Sequence, residues 1–574
     1  MKKFNLLLTL ALLLPDIAWA QVPLTGEGTA ESPYLVRDTA EWNALADYVT
    51  ANQTAVAQFT DQYIRLENDL DFSDGTFKPL LWASRYPFAG TFLGNSKTIS
   101  GINYTTTATN QAVFNRVRGG VVRDLTVEGV INSSMPGTAG LVAILSRQLN
   151  GSEVKQGQII NCVNKVNVIS SGSKTAGIVY DASESTCVID CKNYGNITNT
   201  TTSAVNASGA VLNYSGGIVG NASISVVIEG CYNAGTVTGG SIAVGGIVGY
   251  CYSGNTVISH CVNEGDVTAG MYGAGGILGF SKSGLVNYPI MIQNCLNRGS
   301  VTTTSEDAAN GYGIGGVFGS GTLVTATNCV NTGTVTGVAK VGGIIGDPAQ
   351  NCAATACYNA GVIQAPEGEG YNVLGMQYDI ATGCYYVSDF TDVEDFTADP
   401  LTLAELCVRD MGENWTGYDT WSMPMPTAIA AVDAAKVAAA EVIVAEGDTR
   451  DHVTTDFKVG TPDDVTWTAD RPAVAFDGNI GKLVSAYTGV VNVTATCGTS
   501  TKTIALNVDY AGGASIPGDV NGDSTVDVRD VTELINMILG VIDTNSAANV
   551  NGDETVDVRD VTALINIILG VSAE

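Results

Sequence analysis

The middle of the chain repeats a pattern of short β-branched runs separated by glycine, asparagine and serine, with a spacing of 28 to 40 residues. Each repeat holds two or three short apolar segments and no amphipathic run of ten residues, so the pattern predicts strands instead of helices. A recurring period of this length is typical of a solenoid whose repeats each form one coil. The pattern therefore predicts a parallel β-helix over residues 21–427, with adjacent coils about 4.8 Å apart.

Two short elements mark the repeat. "GGIVG" and its variants begin at residues 216, 245, 275, 315 and 342, with weaker copies at 139 and 176. The other element places asparagine two residues after cysteine, and its copies begin at Cys162, Cys191, Cys231, Cys261, Cys295, Cys329 and Cys357. Stacking would align the asparagines (Asn164, Asn193, Asn233, Asn263, Asn297, Asn331 and Asn359) in one column. In that register, the side-chain amide of each asparagine can hydrogen-bond to the asparagine of the next coil, so the buried polar groups are paired.

The cysteines of this repeat are expected to fill a narrow interior, where cysteine acts as a small apolar residue, instead of forming a metal or redox site. The chain has 13 cysteines, so at least one is unpaired. Cys187 with Cys191, and Cys352 with Cys357, are the pairs to test first for disulfides.

The N-terminal part of the chain predicts a signal peptide followed by a helix. "MKK", an apolar "FNLLLTLALLL" and the small-x-small site Ala18-Trp19-Ala20 predict a cleaved signal peptide over residues 1–20. The apolar run is too short for a transmembrane segment, and no later run approaches about 20 apolar residues. "DTAEWNALADYV" predicts a helix with Asp38 and Glu41 at capping-box spacing, placed to cover the first coil. From the predicted signal peptide we expect a secreted or cell-surface protein.

Beyond residue 427 the period is lost and apolar residues alternate with polar ones. "DVTWTADRPAVAFDG" and "GKLVSAYTGVVNVTATCG" are typical of a β-sandwich over residues 428–511. Trp467 and Val474 are then expected in its core.

The last segment, residues 512–574, contains a near-duplicate: "DVNGDSTVDVRD" at 519–530 and "NVNGDETVDVRD" at 549–560. Oxygen-bearing residues occupy positions 1, 3, 5, 9 and 12 of each, and position 7 offers a carbonyl, which is the spacing of a calcium loop. The predicted ligands of two calcium ions are Asp519, Asn521, Asp523, Thr525, Asp527 and Asp530, and Asn549, Asn551, Asp553, Thr555, Asp557 and Asp560. Each loop precedes a segment with apolar residues at helical spacing, "VTELINMILG" or "VTALINIILG".

The two loops depart from the usual pattern. Ser524 and Glu554 stand at position 6, where glycine is usual, and Asn549 replaces aspartate at position 1 of the second loop. We therefore expect the second loop to be the weaker site. From Ile516 to Glu574 there are eleven acidic and two basic residues, so this segment is expected to unfold without calcium.

The net charge and the positions of basic residues disfavour some classes of function. With 57 acidic and 27 basic residues, the formal charge of −30 disfavours nucleic acid as a partner. A polysaccharide lyase needs a base and a hydrolase needs opposed carboxylates. Basic residues are scattered over the repeat, and the only two histidines are His260 and His452. Insertions at about 198–212 and 302–312 interrupt the repeat and could frame a binding surface.

Three segments carry resemblances to known families. Residues 25–427, with "GEGTAESPYLVRDTAEWNALADYV", "GGIVG" and "CYNAGTV", resemble bacterial surface proteins of the GLUG-motif family, which implies a right-handed parallel β-helix. "DVTWTADRPAVA" resembles bacterial Ig-like domains of the second type. The tandem loops resemble a type I dockerin, which implies a cohesin-type partner that contacts loop positions 10 and 11, here Val528, Arg529, Val558 and Arg559.

The sequence thus predicts a mainly β protein with a small sandwich and a small helical calcium-binding module. The expected function is that of a non-catalytic, adhesin-like protein whose β-helix contacts a glycan or surface ligand and whose dockerin docks to a cohesin-type partner. The alternative is a polysaccharide-degrading lyase or glycosidase carried by the same dockerin.

Overall fold

The computed structural model describes most of the chain and divides it into two compact units, one ending at Ile429 and the other beginning at Ala430. The described residues are 21–202, 213–252, 254–282, 288–309, 311–376, 380–390, 398–416, 423–445, 447–460, 465–497, 500–510, 520–521, 526–542, 547–551, 553 and 555–569. The predicted signal peptide, residues 1–20, lies outside them.

The first unit is built almost entirely from parallel strands that pair with the equivalent strand one repeat later. Val227–Glu229, for example, lies between Cys187–Ile189 and Val257–Ser259 in register. Among the described residues these strands form three sheets, named here sheets 1, 2 and 3. The mainly β character and the parallel pairing predicted from the repeat are confirmed.

Sheet 1 contains 28 of the described strands: Tyr34–Val36, Tyr63–Leu66, Leu70–Asp71, Thr91–Thr106, Val121–Ser133, Gln158–Ile160, Val163–Ser170, Cys187–Ile189, Lys192–Asn193, Ile197–Asn199, Val227–Glu229, Tyr232–Asn233, Val237–Gly239, Val257–Ser259, Val262–Asn263, Val267–Ala269, Ile290–Gln293, Leu296–Asn297, Val301–Thr303, Val324–Thr327, Val330–Asn331, Val335–Thr336, Ala353–Thr355, Tyr358–Asn359, Ile363–Gln364, Ala381–Thr382, Tyr385–Val387 and Asp399–Leu401.

Sheets 2 and 3 hold eight described strands each. Sheet 2 consists of Thr138–Ala139, Lys174–Ala176, Tyr214–Gly216, Val244–Gly245, Ala274–Gly275, Tyr312–Gly315, Ala339–Gly342 and Gly370–Tyr371. Sheet 3 consists of Phe114–Arg118, Val142–Ser146, Val179–Ser183, Val219–Ser223, Val248–Tyr252, Leu278–Lys282, Phe318–Gly321 and Ile345–Pro348. Two antiparallel pairs complete the unit: Gln148–Asn150 with Glu153–Lys155, and Trp415–Thr416 with Met425–Pro426.

The asparagine column forms the expected hydrogen-bonded ladder inside the unit. Asn233 Nδ2 donates to Asn263 Oδ1 at 2.8 Å and to the carbonyl of Gly235 at 2.9 Å. The same side-chain bond links each asparagine from Asn164 to Asn359 to the next one. All seven are buried, so the ladder satisfies polar groups that would otherwise destabilise the interior.

The glycines of the "GGIVG" element are required by close approach. A Cβ on Gly216 would lie 1.9 Å from the carbonyl oxygen of Val219. A Cβ on Gly217 would lie 2.5 Å from Cγ of Asn233 and 2.1 Å from the carbonyl oxygen of Gly246. The motif therefore makes the bend between sheets 2 and 3 and leaves space for the asparagine ladder, which explains why the two elements recur together.

The cysteine column lines the interior as free thiols. Cys261 Sγ donates to the carbonyl of Ser259 at 3.2 Å and to that of Ile228, one coil earlier, at 3.7 Å. All 13 cysteines lie in the described residues and none forms a disulfide, so the two disulfide pairs considered from the sequence do not form. Burial raises the pKa of Cys162 well above its ordinary value, so this thiol is neutral filler.

Helix α1, Thr39–Ala51, packs on the first coils of sheet 1. Asp38 caps it by accepting a hydrogen bond from the backbone N–H of Glu41 at 2.8 Å, as predicted. The reciprocal half of the capping box differs, because Glu41 accepts instead from the N–H of Arg37. Trp42 is fully buried within the main core, and its indole N–H donates to the carbonyl of Lys78.

Short elements complete the first unit and lead into the second. They are the 3₁₀ turns Ala55–Gln58 and Ser388–Phe390, helix α2 at Leu403–Cys407 and helix α3 at Thr427–Ala438. Thr402 and Glu405 form a reciprocal capping box at the start of α2.

The second unit contains two antiparallel sheets that share one apolar core. One sheet comprises Glu441–Ile443, Phe457–Gly460, Ile480–Leu483 and Val474–Asp477, and the other comprises Thr466–Ala469, Tyr487–Cys497 and Ser500–Tyr510. Val474 is buried in this core and Trp467 packs against it, as the alternation predicted.

The second unit ends with two helices, α4 at Val528–Ile538 and α5 at Val558–Leu569. Their inner faces share a small core of Val520, Leu534, Met537, Ala548 and Leu564. Within the described part of the chain, no helix has the length and apolar character needed to cross a bilayer.

Candidate functional site

In both duplicated loops, the same hydrogen bonds join the loop to the first turn of the helix that follows it. Asp530 Oδ2 accepts from the N–H of Asp527 at 2.9 Å, and Asp560 Oδ2 accepts from the N–H of Asp557 at 2.9 Å. In return, Asp527 caps α4, so positions 9 and 12 of each loop form the start of its helix. The two repeats are therefore alike in geometry as well as in sequence.

The position-12 carboxylates also close each loop. Asp530 and Asp560 are both fully buried. Their Oδ1 atoms accept hydrogen bonds from the position-3 N–H groups, Asn521 at 2.9 Å and Asn551 at 3.0 Å. A buried carboxylate that ties position 3 to position 12 brings the two ends of the loop together, as a wrapped cation site requires.

The second loop has all its predicted ligand residues within the described structure. Asn549 and Asn551 turn their side-chain oxygens toward the N–H of Asp553, at 3.1 and 2.9 Å. Asp553 in turn accepts from the N–H and the hydroxyl of Thr555, at 3.1 and 2.9 Å. The side-chain oxygens of Asn549, Asn551 and Asp553 thus gather along one short loop, the donor set that calcium prefers.

An arginine lies against the same carboxylates. The Arg559 guanidinium is 3.0 Å from Asp553 Oδ2 and 2.6 Å from Asp557 Oδ2, and it donates to the Thr555 hydroxyl at 3.1 Å. In the first repeat, Arg529 pairs with Asp527 at 2.9 Å. Among the described residues, no three acidic, histidine or cysteine side chains converge as a metal-binding group.

Local hydrogen bonds keep these carboxylates ionised. Bonds from Thr555 hold the pKa of Asp553 below its ordinary value, and bonds from Arg559 do the same for Asp557. Arg529 likewise lowers the pKa of Asp527. A loop whose carboxylates are already charged loses no cation affinity to protonation near neutral pH.

The first loop is described only in part. Its residues Asn521, Asp527 and Asp530 take the positions just given, whereas the predicted ligands Asp519, Asp523 and Thr525 lie outside the described residues. The position-6 residues Ser524 and Glu554 lie outside them as well.

The predicted partner-binding residues lie on the surface. Val528 is 71% exposed and Val558 is 70% exposed, and the side chains of Arg529 and Arg559 are 62% and 63% exposed. Their exposure is nearly equal in the two repeats. Each helix thus presents an apolar side chain beside a basic one at its start.

Each helix extends this exposed face with apolar residues that the sequence analysis assigned to a helical period without separating the two sides. In α4 these are Ile535, 40% exposed, and Leu539 just beyond it, 70% exposed. In α5, Ile565 and Leu569 occupy the same positions and are 41% and 68% exposed. The spacing of seven and eleven residues from Val528 or Val558 is the signal that separates them from the buried Leu534 and Leu564.

Comparisons with known proteins give a family match for this segment. A crystal structure of a "putative immunoglobulin A1 protease" from Bacteroides ovatus is similar over 70% of this chain and 94% of that chain, with 18% identity and a TM-score of 0.31. No curated protein matches the chain. Residues 517–569 match the dockerin type I domain family, whose members bind calcium.

Proposed function

We propose that this protein is an exported, non-catalytic surface component that docks to a cohesin-type partner through residues 512–574 and contacts a glycan or surface ligand through its first unit. The observation that carries the docking role is the pair of equivalent faces, Val528 with Arg529 and Val558 with Arg559, exposed beside a loop that matches the dockerin family. No catalytic group is assigned.

The finer features of the fold belong to the same proposal. The parallel coils over residues 21–427 are a right-handed β-helix of the GLUG type, supported by the coil-to-coil register and the asparagine ladder. The two antiparallel sheets over 428–511 are an Ig-like domain of the second type that acts as a spacer. Residues 1–20 are a signal peptide that exports the chain.

Calcium is the cofactor of the docking segment. One ion is held by Asp519, Asn521, Asp523, Thr525, Asp527 and Asp530, and a second by Asn549, Asn551, Asp553, Thr555, Asp557 and Asp560. The second site is the weaker one, because Asn549 supplies a neutral oxygen where the first loop has Asp519.

The docking role is tested with the full chain immobilised and a panel of purified cohesin domains applied in calcium and again in EDTA. We expect at least one cohesin to bind in calcium and to dissociate in EDTA. Absence of binding to every cohesin, with calcium binding confirmed by calorimetry, would refute the docking role.

A further inference from the structure

Six aromatic rings form a continuous row of ring contacts beside sheets 2 and 3 of the first unit. The centroids are 6.4 Å apart between Tyr180 and Tyr214, 5.6 Å between Tyr214 and Tyr250, and 6.0 Å between Tyr250 and Phe280. Tyr272 then packs edge-on against Phe280 at 5.8 Å and stacks on Tyr312 at 4.9 Å. We call these residues the aromatic ladder: Tyr180, Tyr214, Tyr250, Phe280, Tyr272 and Tyr312.

The ladder lies apart from the interior core. Tyr180, Tyr214 and Tyr250 belong to a separate cluster, between 4% and 7% exposed, and do not join the main core of the unit. Phe280, Tyr272 and Tyr312 are partly exposed. Because most neighbouring rings stack on each other, their faces are largely covered by the next ring.

A lysine stands at each end of the ladder. Lys174 Nζ lies 5.9 Å from the Tyr180 ring centroid and 5.3 Å from that of Tyr214. At the far end, Lys340 Nζ lies 5.0 Å from the Tyr312 ring centroid and 3.1 Å from a carboxylate oxygen of Asp347. Stacking alone would not require cations at both ends, so the lysines suggest a role beyond packing.

A polar row of sheet 3 runs beside the rings. Asn221, which is in register with Tyr250, donates from Nδ2 to Asp181 Oδ1 at 2.8 Å. Its own Oδ1 atom is enclosed and has no hydrogen-bond partner. Arg116 stands two strands before Asp181 in the same row. The row therefore places a cation, Arg116, in line with the hydrogen-bonded pair of Asp181 and Asn221 on the sheet that carries Tyr180 and Tyr250.

In two of the coils that carry the ladder, the segment between sheets 1 and 2 is longer than in the coils between them. The connection from sheet 1 to sheet 2 takes residues 200–213 before Tyr214 and residues 304–311 before Tyr312. The two intervening coils use only residues 240–243 and 270–273 for the same connection. Longer loops on a solenoid commonly frame its binding face.

Local charge indicates the kind of ligand. Residues 110–182, which include Arg116, Lys174 and Tyr180, hold seven basic and four acidic residues, whereas the whole chain holds 27 and 57. A basic segment in an acidic protein attracts anions. We propose that the aromatic ladder with Lys174, Lys340 and Arg116 binds a linear anionic polysaccharide, an inference that rests on the proposed glycan role of the first unit.

The test uses the full chain in EDTA, so that calcium does not bridge anions, with polygalacturonate, chondroitin sulfate and neutral dextran as probes. We expect binding of at least one anionic polymer, weakening as sodium chloride rises, and no binding of dextran. The double variant Lys174→Gln, Lys340→Gln should lose affinity about tenfold or more. The matched control Lys458→Gln, Lys482→Gln removes two lysines from the second unit and should bind as the unaltered protein does.

Three results would overturn the inference in distinguishable ways. Equal binding of an anionic polymer by the Lys174/Lys340 variant and the control would place the glycan site elsewhere and leave the proposed function standing. Binding of dextran as well as the anionic polymers would overturn the assignment of an anionic ligand to the ladder. Binding of none of the three polymers would overturn that assignment and would also remove support for the glycan role. Unchanged melting temperatures of both variants establish that folding is not the cause.

Discussion

At the residue scale, Arg559 links the calcium loop to the docking face. It occupies loop position 11, where the partner is expected to bind, and its guanidinium contacts the carboxylates of Asp553 and Asp557. The arginine therefore supplies positive charge to a loop that is expected to bind a cation. Calcium and Arg559 compete for the same oxygen-rich surface.

This competition gives a first prediction. Arg559→Ala should raise the calcium affinity of the second loop by about two- to fivefold, a modest change because the ion pair is exposed and screened. Isothermal titration calorimetry of the full chain measures it, with Arg529→Ala as the matched variant in the first repeat. A fall in affinity would show that Arg559 instead organises the loop for calcium.

Asp181 gives a pH-dependent prediction. Burial raises the pKa of this carboxyl above its ordinary value, so the folded state holds the proton more tightly than the unfolded state does. Its contribution to stability is then fully present below the unfolded pKa and is lost as pH rises through the folded pKa. Asp181→Asn should therefore be more stable relative to the unaltered protein at pH 7 than at pH 4, measured by urea unfolding. The same stability difference at both pH values would contradict this.

Single residues differ in how far the sequence predicts them. The ladder from Asn164 to Asn359 was predictable, because stacked register follows from the period alone. The contacts of Arg559 with Asp553 were not, because they depend on the direction of a long side chain. The stack that includes Tyr180 was not predicted, because it joins rings from different register positions: Tyr180 is opposite Gly220, whereas Tyr250 and Phe280 are in register with Asn221.

At the element scale, the asparagine ladder gives the clearest prediction. Asn263→Ala would leave Nδ2 of Asn233 without its acceptor and Oδ1 of Asn297 without its donor. Two buried unpaired groups should cost about 2–5 kcal/mol of unfolding free energy. Thr268→Val, on a neighbouring strand of the same coil, is the control, and thermal unfolding is the measurement. A loss below about 0.5 kcal/mol would show that the ladder adds little to stability.

The ends of the helices were predicted only in part from the sequence. Asp38 was correctly predicted as the cap of α1, because an aspartate before an amphipathic run satisfies a free N–H. The reciprocal bond of Glu41 went to Arg37 instead, since a nearby guanidinium also pairs with it. The exposed apolar stripe that ends at Leu539 was not separated from the buried face in the sequence analysis, because apolar residues lie on both sides of α4; only the spacing from Val528 distinguishes it.

At the scale of the whole molecule, the two units should respond differently to calcium. The parallel-strand unit has a large apolar core of its own. The segment from Ile516 to Glu574 has only a small apolar core, and it carries eleven acidic and two basic residues. EDTA should therefore remove the protection of α4 and α5 in hydrogen exchange and leave the amides of sheet 1 protected. Full protection of α5 in EDTA would contradict calcium-dependent folding of this segment.

The two equivalent docking faces are the central claim, and one measurement tests them most directly. Alanine pairs at Val528 with Arg529, at Val558 with Arg559, and at all four positions would be compared for binding to the cohesin that recognises the full chain. Each single pair should retain affinity within about threefold, because the other repeat can take its place, and the fourfold variant should lose about a hundredfold or more. Loss of binding in either single pair would contradict equivalent faces, and retention by the fourfold variant would contradict docking through them.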